Sequence, residues 1–280
     1  MWYFKKINTK VIRSALRSFS SIKENFVNTE IDNKTGIAIV KLQRKPVNAL
    51  NLQLLQELRQ TIKNIEEQKC HGLILTSNIN GIFSSGLDLK ELHKPQLERL
   101  EQVYAALRDA ALTLYSSPLT TAALINGHSP AGGCVLSICC DFRVMLPSFS
   151  IGLNETQVGI APPRFVEALF CNIVSKRTAE LALIQGKMFS TKEAFDMGLV
   201  DAIAESKEEG LDECENFIAS LKDVNQRARI LTKLQFRKSV LEVFEEERVA
   251  KKSEFVSRVM EADFQLQLDK YLESLKKKRK

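Results

Sequence analysis

The 280-residue sequence lacks an uninterrupted apolar run long enough to cross a membrane, since a spanning helix needs about 20 such residues. Its six cysteines include no Cys-x-x-Cys pair, and its three histidines form no His-x-x-x-His pair. Clustered cysteine and histidine ligands are the usual mark of a zinc site. We therefore expect a chain with no membrane span, no bound metal and free thiols in a reducing compartment.

Acidic residues are missing from the beginning of the chain, where the first acid is Glu24. Residues 1–23 carry six lysines and arginines, which equals the net charge of +6 of the whole chain. The remainder is formally neutral, which disfavours nucleic acid as a partner. A basic, acid-free, serine-bearing start is typical of a mitochondrial transit peptide. We expect residues 1–23 to be one, and the protein to act in the mitochondrial matrix; the alternative is a basic tail without a targeting role.

Short apolar segments alternate with helical patterns through the first half of the chain. This alternation predicts an α/β layer fold with crossover connections. The predicted strands are residues 36–42, 72–77, 120–127, 142–146 and 148–154, the last two as neighbours. The predicted helices are 51–68, 97–115 and a charge-free, buried run at 131–140.

Helices predominate in the sequence pattern after Pro163, and Ser190 and Glu193 are spaced as a capping box. The chain has no internal repeat and no long Pro/Gly/Ser linker, so we expect one α/β core at residues 30–203 and a helical region at 204–280. A helical tail of this kind often packs against a neighbouring subunit.

Two glycine-bearing turns follow predicted strands. Gly132 and Gly133, in SPAGGC, open the buried run, so their N–H groups lie at a helix beginning, where anions are favoured. Tight packing explains such a glycine pair equally well, and the missing P-loop lysine disfavours phosphate binding. Gly86, in SSGLDL, permits a sharp turn that frees the Leu87 N–H. Two such N–H groups, if they converge, form an oxyanion hole.

A single carboxylate, Glu155, follows the apolar residues Ile151, Gly152 and Leu153. Partial burial would raise its pKa towards the operating pH and suit it to reversible proton transfer. The alternative is a carboxylate that caps the following turn.

The segments IFSSGLDL (82–89), NGHSPAGGC (126–134) and IGLNETQVGI (151–160), in this order and spacing, resemble the enoyl-CoA hydratase/isomerase (crotonase) family. The resemblance runs from about Gly36 to Ile203 and continues less sharply through the tail. It implies the crotonase (ClpP-like) fold of repeated ββα units with a C-terminal helical trimerisation region. It also implies a homotrimer or a pair of such trimers, an acyl-CoA thioester substrate, and no cofactor beyond the coenzyme A of that substrate.

The resemblance assigns roles to individual residues. The N–H groups of Leu87 and Gly132 would hold the thioester oxygen, and Glu155 would be the catalytic carboxylate. The remaining substrate-binding positions are those around the first turn and beside the base, namely Ser85, Gly86, Asp88, Leu89 and Asn154.

Position 135 departs from the hydratases of the family, which carry a glutamate two residues after the last glycine of this turn. Here that residue is Val135, so no carboxylate pair is present to activate water. The resemblance therefore implies an isomerase that moves the double bond of a 3-cis- or 3-trans-enoyl-CoA to the 2-trans position in β-oxidation of unsaturated fatty acids.

Three alternatives stay open at this point. The first is a hydratase or another crotonase-type acyl-CoA enzyme. The second is a protein of this fold that binds RNA through its basic ends, and the third is a catalytically inactive relative.

Overall fold

The computed structural model describes residues 25–278, so the predicted transit peptide at residues 1–23 lies outside the described residues. The strands are β1 (Val27–Asp32), β2 (Ile37–Leu42), β3 (Gly72–Ser77), β4 (Gly81–Ile82), β5 (Thr120–Ile125), β6 (Gly127–Pro130), β7 (Phe142–Met145), β8 (Ser150–Gly152), β9 (Met188–Ser190) and β10 (Ala202–Ile203). The helices are α1 (Leu52–Glu67), α2 (Leu89–Leu92), α3 (Leu97–Tyr115), α4 (Gly132–Ile138), α5 (Glu155–Val158), α6 (Arg164–Cys171), α7 (Lys176–Gln185), α8 (Thr191–Asp196), α9 (Lys207–Ser220), α10 (Gln226–Val249), α11 (Glu254–Val259) and α12 (Ala262–Lys278).

The larger sheet has six strands in the order β1-β2-β3-β5-β7-β10. Only β1 pairs antiparallel, with β2, and the other pairings are parallel. Parallel neighbours require a crossover, and α1 and α3 supply one before β3 and β5 respectively. The predicted α/β layers are therefore confirmed. The sequence prediction missed β1, because this strand has no alternating apolar pattern.

A second, smaller sheet has the order β4-β6-β8-β9. The sequence prediction included β8, within residues 148–154. It missed β4, β9 and most of β6, because strands of two to four residues are too short to show a period. The expectation that 142–146 and 148–154 are neighbouring strands is wrong. The chain turns at Ser148, whose φ is 67°, and β8 then pairs with β6 and β9 instead of β7.

The main core lies between the larger sheet and helices α1, α3 and α4. Helix α1 begins after Asn51, whose side chain accepts from the Leu54 N–H at 3.0 Å, and it buries a stripe that includes Leu54, Leu58 and Ile62. Helix α4 is buried along its whole length, as its charge-free sequence predicts. On the opposite face of the sheet, Ile218 of α9 packs with the buried residues of β3 and β5.

The predicted Ser190–Glu193 capping box is confirmed at the start of α8. All six cysteines are free. No helix of the described chain is both long and apolar enough to cross a bilayer. Across residues 25–278, no group of three or more His, Cys, Asp and Glu side chains is placed to hold a metal ion.

The helical tail, α9–α12, is fastened to the core by a group of buried charges. Lys233 and Arg237 of α10 each lie 2.8 Å from Asp141 Oδ1, and all three side chains are largely buried. Lys233 Nζ also donates to the Leu119 carbonyl at 3.0 Å, and Arg237 donates to the Tyr115 carbonyl. One face of α10 thus satisfies carbonyls at and just beyond the end of α3, which have no partner within the helix.

Replacing Asp141 with asparagine should lower the free energy of unfolding by about 3 kcal/mol, because two buried cations then face a neutral amide. Urea denaturation at matched protein concentration measures the change. The control is Glu245→Gln, which removes an exposed ion pair with Arg248 and should cost less than about 1 kcal/mol. Equal effects of the two substitutions would contradict a stabilising role for the buried charges around Asp141.

Candidate active site

The turn at residues 84–89 is held against Leu50 by two backbone hydrogen bonds. The Leu50 N–H donates to the Gly86 carbonyl at 2.8 Å, and the Asp88 N–H donates to the Leu50 carbonyl at 3.1 Å. Gly86 has a φ of 80°, which favours glycine. This pairing uses the Gly86 carbonyl and the Asp88 N–H, on either side of Leu87, and leaves the Leu87 N–H itself without an acceptor among the described residues.

The second turn leads from β6 into α4 through Ala131, whose φ is 47°. The Ala131 N–H donates to the Gly152 carbonyl at 2.8 Å, which ties this turn to β8. At Gly133 an added Cβ would lie 2.6 Å from the Ser84 carbonyl oxygen, so this glycine serves close packing. Gly132 begins α4, and its N–H also has no acceptor within residues 25–278.

The two turns converge. An added Cβ at Gly86 would lie 3.0 Å from the Gly132 nitrogen, and one at Gly132 would lie 3.4 Å from the Leu87 nitrogen. Unpaired backbone N–H groups are rare in buried positions, and here two of them lie on adjoining turns. This arrangement can bind a negatively charged oxygen.

Glu155 is the first residue of α5, three residues after the end of β8. The residue is only half-buried as a whole, yet its Oε2 atom is buried and has no hydrogen-bond partner among residues 25–278. Burial raises the pKa of Glu155 to about 7, against a smaller lowering by its own N–H. An unpartnered Oε2 argues against the alternative of a turn-capping carboxylate.

Helix α4 lies close to Glu155. The pKa of the Cys134 thiol is raised chiefly by burial, and next by the Glu155 carboxylate. Val135 is buried, so the side chain at the position of the second hydratase acid is apolar in the folded protein. Glu155 therefore lies near the helix that begins at Gly132.

The other predicted residues are placed as follows. Asp88 caps α2 by accepting from the Lys90 N–H and pairs with Arg44 at 2.8 Å, so it holds the turn in shape. The Ser85 N–H donates to the Val47 carbonyl, and Leu89 packs against the core. Asn154 precedes α5 without a side-chain cap.

Sequence analysis did not identify Leu50 and Arg44 as residues that hold the turn at residues 84–89. The Leu50 Cδ1 atom lies 2.7 Å from where a Gly132 Cβ would be, and Arg44 donates to the Ala49 carbonyl at 2.7 Å as well as to Asp88. The loop RKPVNAL carried the only signal, a turn before α1, and nothing in it indicated contact with residues 86–88.

A cavity of about 640 Å³ lies to one side of these groups, between α3, α6, α7, α10 and α11. Its walls include Thr156, next to Glu155, but neither Glu155, Leu87 nor Gly132. The lining is mixed, with charged side chains such as Arg164 and Glu247 beside apolar ones such as Phe255.

Glu155 should make the fold less stable as the pH rises from about 4.5 to about 7, because the unfolded chain loses this proton first. The difference between the two pKa values corresponds to about 3 kcal/mol. Glu155→Gln should therefore leave stability unchanged at pH 4 and raise it by about 3 kcal/mol at pH 8. Urea unfolding at both values tests this. The control is the exposed Glu167→Gln, and a pH-independent effect of Glu155→Gln would contradict the assigned burial.

Comparison with known proteins matches residues 32–280 to the family described as Enoyl-CoA hydratase/isomerase. The mouse protein named "Enoyl-CoA delta isomerase 1, mitochondrial" is 35% identical over 253 residues, covering 89% of this chain and 87% of the relative. Its human counterpart is 36% identical and covers 89% and 83%.

Among solved structures, human mitochondrial delta3-delta2-enoyl-CoA isomerase superposes with a TM-score of 0.87 at 36% identity, covering 91% of this chain and 100% of that one. An enoyl-CoA hydratase from Bacillus halodurans gives a TM-score of 0.78 at 26% identity and covers 88% and 99%. These matches confirm the predicted resemblance and fold. The chain belongs to the enoyl-CoA hydratase/isomerase family.

Proposed function

We propose that this protein is a Δ3,Δ2-enoyl-CoA isomerase, which converts 3-cis- or 3-trans-enoyl-CoA to 2-trans-enoyl-CoA in β-oxidation of unsaturated fatty acids. Relatives and a solved structure with this activity in their names, at 35–36% identity over most of the chain, support it. The observation that carries the mechanism is Glu155, a single carboxylate with an unpartnered Oε2 and a raised pKa.

The first step is removal of a proton from carbon 2 of the substrate by the ionised Glu155. The electron pair of that C–H bond forms a double bond between carbons 1 and 2, and the thioester carbonyl electrons move onto its oxygen. The Leu87 and Gly132 N–H groups bind this oxygen more strongly as its charge develops, which lowers the barrier. Each donor contributes on the order of 3 kcal/mol.

The second step is return of the proton from Glu155 to carbon 4. The electron pair of the double bond between carbons 3 and 4 forms the new C–H bond. The pair between carbons 1 and 2 moves to carbons 2 and 3, and an oxygen electron pair re-forms the thioester carbonyl. A pKa of about 7 suits one group to both tasks, since at neutral pH neither protonation state is strongly favoured. The transfer needs no metal or redox cofactor.

Val135 favours the isomerase over the hydratase. Hydration requires a water molecule held and activated by acid–base groups, and the buried valine offers no hydrogen bond to water. Ser85, Gly86, Asp88 and Leu89 would shape the turn around the pantetheine and acyl chain, while Asn154 would lie beside the reacting carbons.

Glu155→Gln should lower kcat for double-bond migration by roughly 10³-fold or more, because general base catalysis is lost. Spectrophotometric detection of the conjugated product from 3-cis- and 3-trans-enoyl-CoAs measures this. In the unaltered protein, kcat/KM should rise about tenfold per pH unit below about 7 and level off above it. Glu167→Gln, on the exposed face of α6, is the control, and near-normal turnover by Glu155→Gln would rule out this base.

A hydration assay separates this proposal from its alternative. With a 2-trans-enoyl-CoA as substrate, the protein should form 3-hydroxyacyl-CoA at under about 1% of its isomerisation rate, because no second carboxylate orients water. Comparable rates of hydration and isomerisation would favour a hydratase.

We further propose a homotrimer in the mitochondrial matrix. The word "mitochondrial" in the names of the relatives and the basic segment at residues 1–23 support the location. Exposed apolar side chains on α10, Leu231 and Phe236, support burial against another subunit. Sedimentation equilibrium tests the assembly, and fractionation of mitochondria tests the location.

A further inference from the structure

Helix α12 contacts the chain just after each of two parts of the candidate active site, the turn at residues 84–89 and the segment that begins with Glu155. Its inward face buries Phe264 and Leu268, four residues apart, and these side chains attach the helix to the main core. Its polar side chains reach two segments that are distant in sequence. One is the corner at residues 92–94, directly after α2, and the other is Gly159, directly after α5.

Gln265 makes two hydrogen bonds at the first of these contacts and a third to α11, within the helical tail. Its Oε1 accepts from the Lys94 N–H at 2.7 Å, and its Nε2 donates to the Leu92 carbonyl at 2.9 Å and to the Val259 carbonyl at 2.7 Å. Lys94 has a φ of 48°, a left-handed conformation that a non-glycine residue keeps only when its surroundings enforce it. Gln265 therefore fixes a strained corner.

Asp269, one turn further along α12, binds the same corner. It lies 2.6 Å from His93 Nε2 and 3.3 Å from Lys94 Nζ. The partners of this corner thus come from two successive turns of one helix.

At the other contact, the Gln267 side chain rests on Gly159. A Cβ added at Gly159 would lie 1.9 Å from Gln267 Oε1, so the amide occupies the space beside the glycine. Gly159 ends α5, the four-residue helix that Glu155 begins. Helix α12 consequently touches the end of the base-bearing segment and the end of the segment that carries the Leu87 N–H.

We propose that Gln265 is a positioning residue: by fixing the corner after α2 it holds the turn at residues 84–89, so that the Leu87 N–H points at the thioester oxygen above Glu155. The proposal rests on the proposed isomerase function. Gln265 acts through the backbone and does not touch the substrate. Because Phe264 and Leu268 attach α12 by apolar contact, loss of the Gln265 amide removes two hydrogen bonds from the corner without detaching the helix.

The test is Gln265→Ala in the full-length protein. Misalignment of one oxyanion donor should lower kcat about tenfold and change KM less than about twofold, since the donor acts mainly as charge develops. A second test variant is Asp269→Asn, which weakens the other contact with the corner. Its matched control is Glu273→Gln, because Glu273 is an exposed carboxylate one turn away on the same helix. Asp269→Asn should lower kcat about threefold, and Glu273→Gln should leave it unchanged.

A second measurement reports on the donor without turnover. Acetoacetyl-CoA forms an enolate with negative charge on the same thioester oxygen, and the bound enolate is detected by its near-ultraviolet absorbance. Gln265→Ala should bind it about tenfold more weakly. Unchanged kcat and unchanged enolate binding would overturn the proposal. Failure of the unaltered protein to isomerise any 3-enoyl-CoA would overturn the proposed function instead, while enolate binding would still decide the role of Gln265.

Discussion

The candidate active site depends on the parallel pairing of β6 with β4 on one side and β8 on the other. At Gly127 an added Cβ would lie 2.1 Å from the Ile82 nitrogen, so the backbones of β4 and β6 approach too closely for any side chain there. The pairing of Pro130 with Gly152 continues into the hydrogen bond from Ala131 to Gly152. Three strands of two to four residues thereby bring both N–H turns and the segment before Glu155 to one place.

The raised pKa of Glu155 results chiefly from burial of its carboxylate. Glu155 Oε2 has no hydrogen-bond partner among the described residues, and Val135 presents an apolar side chain on the neighbouring helix. Burial without compensation raises the pKa, because it disfavours the charged form. The same pKa shift has two consequences. It lowers the free energy of unfolding at neutral pH, and it brings the carboxyl group to a pKa at which it can both donate and accept a proton.

The helical tail depends on polar contacts as well as on apolar burial. Lys233 and Arg237 attach α10 to Asp141 and to carbonyls after α3, while Gln265 and Asp269 attach α12 to the corner after α2. Polar contacts of this kind demand defined geometry, so they set where each helix lies. The tail thus connects the core to the segments around the candidate site.

The amino-acid sequence by itself determined the α/β layers, the buried helix α4, the cap at Asn51 and the family, because these features depend on local periodicity and on contiguous motifs. It also singled out Glu155, Leu87 and Gly132 through the resemblance. Only the tertiary structure decided that β7 and β8 belong to different sheets, that Leu50 and Arg44 hold the first turn, and that Gln265 reaches the corner at residues 92–94. These contacts join segments up to 173 residues apart, and pairing at such separations depends on backbone geometry that no local pattern of side chains encodes.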